Sequence, residues 1–373
     1  MGTVLDNVYT KLGARPVINA ASNTTTWGGS LPSAEVRQAM EEANVGFVEM
    51  RELLERTGDF IAETLGVEAA YATSGCYAAL VLSTAACMTG NDADKMAQLP
   101  DTTGLKTEVV LQKQHRYGYD RSYTIAGGKL VEIGDDDGTT LDALENAIGH
   151  DTAAVAYLIK SDGASGTLPL KDVVRVAHDR DVPVIADAAA QVYPLDYFRR
   201  NAQSADLVCF GGKYFGSPHS TGFVCGKKDL IEAVANHGFI GPRPLGRGMK
   251  VDRQEIVGLV AALDAWLTMD HEERLLGYGQ RFEAIQAGVS NLPSVKKTEV
   301  FTSNSYWSLG LHVVIDAEVL GKTARDVVQE LSDGTPRIRL GSSDDDTIVI
   351  MVHNLNDGDE VIVAEKLRAA LAA

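Results

Sequence analysis

An aspartate and a lysine stand at the ends of two apolar segments of this 373-residue chain. Asp187 ends the run Val184–Ala186, and Lys213 follows Leu207–Phe210 and two glycines. In a parallel sheet such strand ends meet at one edge, where ligands bind. A carboxylate and an amine in that arrangement suit a pyridine ring that carries an aldehyde, because the carboxylate pairs with the ring nitrogen and the lysine forms a Schiff base. The alternative is an exposed Asp and an exposed Lys at two unrelated strand ends.

The overall charge and the cysteine spacing limit the partners and the compartment. A net charge of −17 without any block rich in lysine or arginine argues against a nucleic-acid partner. No apolar run reaches membrane-spanning length and the N-terminus lacks a signal-peptide core, so we expect no membrane partner and a cytoplasmic location. The four cysteines have no CxxC spacing, which predicts free thiols and no metal site.

Short apolar segments alternate with segments of helical periodicity between residues 34 and 255. A helix is predicted over 34–65, ended by Gly66, and a second is predicted to begin with Ser74 as its cap. Strand-like runs recur in the same region, and we predict strands at 69–73, 109–112, 129–133, 153–159, 182–186, 207–210 and 222–225. The alternation predicts an α/β fold with a mainly parallel central sheet covered on both faces.

The pattern changes near residue 255, where a long amphipathic helix over 254–269 begins. Two further strand–helix stretches follow it and predict a smaller α+β domain. We therefore predict three regions: an N-terminal segment over 1–33, a large domain over 34–255 and a small C-terminal domain over 256–373.

Other residues at strand ends are candidates for binding. Ser74, Gly75 and Cys76 form a strand-to-helix junction, whose unpaired N–H groups and helix dipole suit a phosphate; the alternative is a helix cap that binds nothing. His115 follows another predicted strand, where a flat ring could stack on the pyridine face, although a histidine in a loop is more often solvated or structural. Tyr117 lies beside it as a further aromatic candidate.

Four basic residues lie close together in this acidic chain: Arg243, Arg247, Lys250 and Arg253. One interpretation is an anion site for a phosphate or carboxylate of the substrate, because a few local arginines outweigh a distant net charge at short range. The other is a solvated loop followed by a helix start. The residues alone leave both interpretations open.

Several longer motifs together resemble one family. These are TSGCYAAL, IADAAAQ, DLVCFGGKYFGSPHSTGFVCGKKDLI and RGMKVDRQEIVGLVAAL. The chain resembles the selenocysteine synthase-related (SelA-like) branch of the fold type I pyridoxal 5'-phosphate (PLP) enzymes, most of all the D-glucosaminate-6-phosphate ammonia-lyase-like group. The resemblance implies an aspartate aminotransferase-like fold, PLP as cofactor and active sites formed in a homodimer or a higher homo-oligomer.

The same resemblance implies a role for each motif residue. Lys213 is the Schiff-base lysine, Asp187 the partner of the pyridine nitrogen, and His115 the ring-stacking residue. The remaining assignments concern phosphate and substrate: Ser74, Gly75 and Cys76 bind the cofactor phosphate, His219 contacts it from a neighbouring subunit, Asn23 and Thr25 belong to a substrate lid, Arg247, Lys250 and Arg253 line the substrate pocket, and Arg337 and Arg339 bind the α-carboxylate.

The implied activity is that of a PLP-dependent ammonia lyase or dehydratase. It converts a small hydroxy amino acid or amino sugar acid, with or without a phosphate, to a 2-oxo acid and ammonia. An aldolase or an amino-acid racemase is the alternative, because the same residues serve all three reactions. A tRNA-dependent selenium transferase fits the acidic charge less well, and a non-catalytic PLP-binding protein has less need of both Lys213 and Asp187.

Overall fold

The computed structural model describes residues 8–241, 244–303, 306 and 308–372. They form two compact units, the larger within Leu31–Leu267 and the smaller within Met1–Ser30 and Thr268–Ala373. The N-terminal segment, predicted above as a separate region, thus groups with the C-terminal residues, and the helix that begins at Arg253 stays with the larger unit up to Leu267. The lid role of the segment stays a prediction.

Strands and helices are numbered along the chain. The strands are β1 (Val17–Asn19), β2 (Ala69–Thr73), β3 (Glu108–Gln112), β4 (Lys129–Ile133), β5 (Thr152–Leu158), β6 (Val184–Asp187), β7 (Leu207–Gly211), β8 (Gly222–Gly226), β9 (Val295–Thr302), β10 (Leu309–Ile315), β11 (Arg337–Arg339), β12 (Gly341–Ser342) and β13 (Thr347–Ile350). The helices are α1 (Val8–Lys11), α2 (Ala34–Asn44), α3 (Met50–Leu65), α4 (Cys76–Thr89), α5 (Ala93–Gln98), α6 (Ser122–Ile125), α7 (Leu141–Ala147), α8 (Leu170–His178), α9 (Leu195–Ala202), α10 (Lys228–His237), α11 (Arg253–Thr268), α12 (His271–Val289), α13 (Ala317–Leu320), α14 (Ala324–Asp333) and α15 (Asp359–Leu371). No helix among the described residues is both long and apolar enough to cross a bilayer.

The larger unit contains a seven-stranded sheet in the order β2-β8-β7-β6-β5-β3-β4. Neighbours from β7 to β4 pair in parallel, whereas β8 is antiparallel to both β2 and β7. The predicted mainly parallel sheet is therefore confirmed. The carboxyl ends of β2, β6 and β7 lie at one edge, because the registers pair Thr73 and Gly211 with Gly222, and Asp187 with Cys209.

The sequence explains why these strands lie in the middle of the sheet. Strands β6 and β7 are short apolar runs in which every residue is buried, as expected for strands covered on both faces. Helix α4 is apolar on nearly all sides and is buried along most of its length. Each large aliphatic side chain buried in this core stabilises the fold by about 1.5–3 kcal/mol relative to exposure.

Two local predictions are wrong. The single helix over 34–65 is two helices, α2 and α3, which are separated around Gly46, where the propensity for helix is low. Gly66 does end the second helix in the left-handed conformation, as predicted. Ser74 does not cap α4: the residue at that position is Gly75, whose φ is 91°, and no side chain caps the helix start.

The smaller unit is built on a four-stranded antiparallel sheet in the order β12-β13-β10-β9. Helices α12, α14 and α15 contribute apolar side chains to its core, among them Phe282, Val327 and Leu367, which pack with Leu311 and Ile350 of the sheet. The N-terminal strand β1 pairs in parallel with β11, so Asn19 lies beside Arg339 in the register. The predicted α+β character of this region is confirmed.

Candidate active site

Asp187 is the buried acid at the edge of the large sheet. It is the last residue of β6, and only 5% of its surface is exposed. Its Oδ1 accepts a hydrogen bond from the backbone N–H of Ala189 at 2.9 Å and lies 3.5 Å from the Sγ of Cys76, and its Oδ2 accepts one from the hydroxyl of Tyr117. Burial raises the pKa of this carboxyl, whereas the three hydrogen bonds oppose the rise. The groups that contact Asp187 among the described residues are therefore all neutral.

Lys213 occupies the turn that follows β7, next to the carboxyl end of β6. It is half-buried, and burial is the largest cause that lowers the pKa of its amine. A lowered pKa leaves a larger fraction of the amine neutral, which is the form that acts as nucleophile or base. Cys76 lies close enough to both groups for electrostatic interaction with the Lys213 amine and the Asp187 carboxylate. The acid and the amine therefore face the same end of helix α4.

Glycines let the lysine turn fold tightly. A Cβ on Gly212 would lie 2.3 Å from Thr221 Oγ1 and 2.9 Å from Ser217 Cβ, so only glycine fits there. The Gly212 N–H donates to the Thr221 carbonyl at 2.8 Å, and the Ser217 N–H donates to the Gly212 carbonyl at 3.1 Å. These bonds close the loop over 212–221 and fix the backbone that carries Lys213.

The start of α4 lies at the same edge of the sheet. Gly75 has a φ of 91°, and a Cβ placed on it would meet no atom within 4 Å, so open space lies beside it. On the other side, a Cβ on Gly222 would approach the carbonyl carbon of Gly75 to 2.8 Å and the nitrogen of Cys76 to 2.9 Å. Glycine at position 222 therefore lets β8 support the helix start, which exposes N–H groups that suit an anion.

His115 is buried more deeply than the sequence suggested, whereas Tyr117 reaches the candidate site. The ring of His115 is 0% exposed and packs edge-on against Tyr157, with centroids 4.4 Å apart. Its Nδ1 lies 3.3 Å from the backbone nitrogen of Leu158, and burial lowers its pKa to about 4. This arrangement leaves no exposed ring face for stacking. Tyr117, two residues later, is the residue of this loop that contacts Asp187.

Comparisons with known proteins agree with this arrangement. The family model for L-seryl-tRNA selenium transferase (SelA) matches residues 122–278. A D-glucosaminate-6-phosphate ammonia lyase from Salmonella typhimurium is 33% identical over 340 residues, which are 88% of this chain and 87% of that protein. A structure of D-glucosaminate-6-phosphate ammonia-lyase is 29% identical, with a TM-score of 0.86 over 98% of both chains. The chain belongs to the SelA-like family of fold type I PLP enzymes.

Two further relatives show how far the similarity extends. A 5'-C-glycyluridine monooxygenase-decarboxylase from a Streptomyces species is 30% identical over 89% of this chain and 83% of that protein. An aspartate aminotransferase from Thermotoga maritima shares the fold, with a TM-score of 0.54 at 14% identity over 98% of this chain and 94% of that one. The predicted fold type I class, the enzyme class and the dependence on PLP are thus confirmed.

The residues of the larger unit fit this cofactor. Asp187 is a buried acid whose described partners are all neutral, and a protonated ring nitrogen would supply the missing positive charge. Open space lies beside Gly75 at an uncapped helix start, where a phosphate would accept backbone hydrogen bonds. Lys213 provides an amine with a lowered pKa. Three requirements of PLP are therefore met at one edge of the sheet.

His219 lies in the loop that follows Lys213 in the same chain. Its Nδ1 is buried without a hydrogen-bond partner among the described residues. Burial is the first cause that lowers its pKa and the charge of Lys213 is the second, so the two side chains are close within one subunit. The predicted contact of His219 with the cofactor of a neighbouring subunit stays a prediction.

Two residues of the basic cluster, Arg247 and Arg253, donate to backbone carbonyls. Arg253 donates to the carbonyls of Ala43 and Asn44 at the end of α2 and lies over the ring of Phe47, with its central carbon 5.3 Å from the centroid. These contacts use its Nε and one terminal nitrogen, and its role in the substrate pocket stays a prediction. Arg247 donates to the carbonyl of Phe239 at 3.4 Å.

The structure gives less information on the other two residues of the cluster. Lys250 is exposed. Arg243 lies outside the described residues.

The remaining candidates belong to the smaller unit. Asn23 is buried, and its Oδ1 lies 2.8 Å from His353 Nε2 and accepts a bond from the Asn354 amide at 2.6 Å. Arg339 places its guanidinium 4.5 Å from the ring centroid of Trp27 and donates to Ser332. Two further candidates have fewer contacts: Thr25 is exposed and Arg337 is partly buried.

Proposed function

We propose that this protein is a PLP-dependent lyase that acts on a small hydroxy amino acid or amino sugar acid. The substrate loses its α-proton and its β-hydroxyl as water, and hydrolysis of the resulting enamine gives a 2-oxo acid and ammonia. The observation that carries the proposal is the similarity to D-glucosaminate-6-phosphate ammonia lyase over 88% of the chain, together with Lys213 and Asp187 at one edge of the sheet.

The cofactor supplies a pyridine ring that accepts the electron pair left at the substrate α-carbon. Asp187 holds a proton at the ring nitrogen, because a carboxylate within about 4–6 Å favours the charged form by roughly one to three pKa units. Lys213 moves the proton at the α-carbon, since its lowered pKa makes the neutral amine available as a base. The backbone N–H groups at Ser74, Gly75 and Cys76 bind the cofactor phosphate.

We assign His115 a supporting role instead of a stacking one. Its ring is enclosed between the loop and β5, where it lies against Tyr157 and Leu158. A side chain held from both sides fixes the backbone between Lys113 and Tyr117. It thereby positions the hydroxyl that contacts Asp187.

For the substrate we propose Arg339 as the carboxylate ligand. Its guanidinium lies over Trp27 and donates to Ser332, and its buried Nε has no hydrogen-bond partner among the described residues. A carboxylate is a suitable acceptor for such a planar group. Asn23, Thr25 and Arg337 remain proposed substrate contacts on the same unit. Arg247 and Lys250 remain candidates for a substrate phosphate, as in a phosphorylated amino sugar acid. A homo-oligomer and a cytoplasmic location remain part of the proposal.

A panel of D- and L-hydroxy amino acids and amino sugar acids, with and without phosphate, tests the reaction type. Release of equal amounts of ammonia and 2-oxo acid supports the lyase. An aldehyde product indicates an aldolase, and an inverted stereocentre without ammonia indicates a racemase. Because one relative is a monooxygenase-decarboxylase, the panel is repeated without oxygen. Oxygen consumption coupled to loss of carbon dioxide would overturn the lyase proposal.

A further inference from the structure

We propose that Tyr117 is a positioning residue whose hydroxyl keeps Asp187 a weak base, so that the shared proton stays on the cofactor ring nitrogen. This inference rests on the proposed pairing of Asp187 with that nitrogen. It starts from the hydroxyl of Tyr117, which is the one side-chain hydroxyl among the described residues that donates to the buried carboxylate.

The carboxylate has room for both partners. Of its acceptor positions, Oδ1 receives the Ala189 N–H at 2.9 Å and faces Cys76 Sγ at 3.5 Å, whereas Oδ2 receives only the hydroxyl of Tyr117 among the described residues. A carboxylate oxygen can accept two hydrogen bonds. Oδ2 therefore keeps one acceptor position for the N–H of a pyridinium ring.

Tyr117 can act only as a donor towards this carboxylate. Burial raises its pKa far above the usual value for tyrosine, and the charge of Asp187 raises it further, so the hydroxyl stays protonated. The neighbouring Tyr123 is 1% exposed, and burial raises the pKa of its hydroxyl as well. Both hydroxyls near Asp187 therefore stay neutral.

The direction of the effect follows from two opposing influences on Asp187. Burial makes its carboxylate a stronger base, which favours transfer of the proton from the ring nitrogen to the acid. The hydrogen bond from Tyr117 stabilises the carboxylate and makes it a weaker base. Without this donor, the pair shifts from pyridinium and carboxylate towards neutral pyridine and carboxylic acid.

The test is the ¹⁵N chemical shift of the cofactor ring nitrogen in holoenzyme reconstituted with ring-labelled PLP. Tyr117→Phe is expected to move this shift towards that of neutral pyridine, with the proton-transfer equilibrium changed roughly tenfold to a hundredfold, the range for a hydrogen bond to a charged group. The matched control is Tyr119→Phe, because Tyr119 is 66% exposed and its ring lies 6.0 Å from that of Tyr117. The control should retain the wild-type shift.

Two further variants make the outcome decisive. Replacing Tyr117 by 3,5-difluorotyrosine strengthens the donor and retains the ring, so it should move the shift towards pyridinium even if the Phe variant does not fold. Asp187→Asn tests the underlying pairing. If Asp187→Asn leaves the shift unchanged, the proposed role of Asp187 fails. If Asp187→Asn changes the ¹⁵N shift and neither Tyr117 variant changes it, only the inference about Tyr117 is overturned.

The affinity for PLP tests one alternative explanation, in which Tyr117 competes with the cofactor for Asp187. If Tyr117 merely occupied the place of the ring nitrogen, Tyr117→Phe would bind PLP more tightly and would leave the ¹⁵N shift unchanged. That result would also overturn the inference. Equilibrium dialysis of the apoprotein with PLP provides this measurement without any turnover.

Discussion

Replacing Asp187 by Asn is expected to stabilise the protein without cofactor and to slow the reaction of the protein with it. Asp187 is 5% exposed, and its described partners are the neutral groups of Ala189, Tyr117 and Cys76. A buried charge without an opposite charge costs free energy, which an isosteric neutral amide avoids. We expect Asp187→Asn to raise the free energy of unfolding by about 0.5–2 kcal/mol, the usual range for a single stabilising substitution.

The stability advantage of Asp187→Asn over the wild-type apoprotein should depend on pH. Burial raises the pKa of Asp187 above its usual value of 3.8, so the folded apoprotein holds a proton that the unfolded chain has already released. The free energy of unfolding of the wild-type apoprotein therefore falls as the pH rises from 3.8 through the raised pKa, because the folded state binds more protons than the unfolded chain over this pH range. The variant lacks this dependence. Urea unfolding of both apoproteins should show an advantage of the variant that grows with pH.

Asp187→Asn should slow catalysis, although it stabilises the apoprotein. Loss of one to three pKa units of support for the protonated ring corresponds to a roughly tenfold to thousandfold slower removal of the substrate α-proton. Exchange of that proton with deuterium, followed by NMR, measures this step. Two results would refute the reasoning. One is that Asp187→Asn exchanges the α-proton at the wild-type rate; the other is that the Asp187→Asn apoprotein is less stable than the wild-type apoprotein at high pH.

Three further substitutions separate covalent, phosphate-binding and structural roles. Lys213→Ala should abolish both turnover and the absorbance of the lysine-bound cofactor; an unchanged spectrum would contradict its assignment. Gly222→Ala should weaken PLP binding at least tenfold in equilibrium dialysis, because its Cβ would lie 2.8 Å from the Gly75 backbone. Arg253→Ala should lower the free energy of unfolding by about 1 kcal/mol in urea titrations, because the variant loses the hydrogen bonds to the carbonyls at the end of α2. Its KM should not change. A large rise in KM would instead support the predicted contact of Arg253 with the substrate.

The sheet was predictable because each strand carries its own signal. Strands β6 and β7 are uninterrupted apolar runs that end in Asp187 and in glycine, and their register brings Asp187 beside Cys209. The break at Gly46 was harder to predict, because the flanking residues continue a helical pattern. Val45 and Phe47 in that break are 85% and 99% exposed, so their apolar side chains wrongly suggested a buried helix face. Periodicity predicts which face is apolar, and it does not show which surface covers it.

Electrostatic roles were less predictable than positions. The sequence indicates that Arg253 is basic, but the open carbonyls at the end of α2 attract it only once α2 and α11 are folded. His115 and Tyr117 illustrate the same difficulty over a distance of two residues. Both follow β3, and only the turn over 113–115 decides that the histidine turns into the core while the tyrosine reaches Asp187. No pattern in the sequence distinguishes these two directions.

The neutral surroundings of Asp187 link cofactor binding to stability. Cys76 and Tyr117 keep their protons because burial raises the pKa of both, so neither can become a second anion beside the carboxylate. The free carboxylate is therefore destabilised by burial alone, and a cationic ring nitrogen relieves this. The wild-type protein should consequently gain more stability from PLP at high pH than at low pH, since Asp187 is protonated at low pH and offers no charge to pair. In Asp187→Asn this difference should disappear, which assigns the coupling to one side chain.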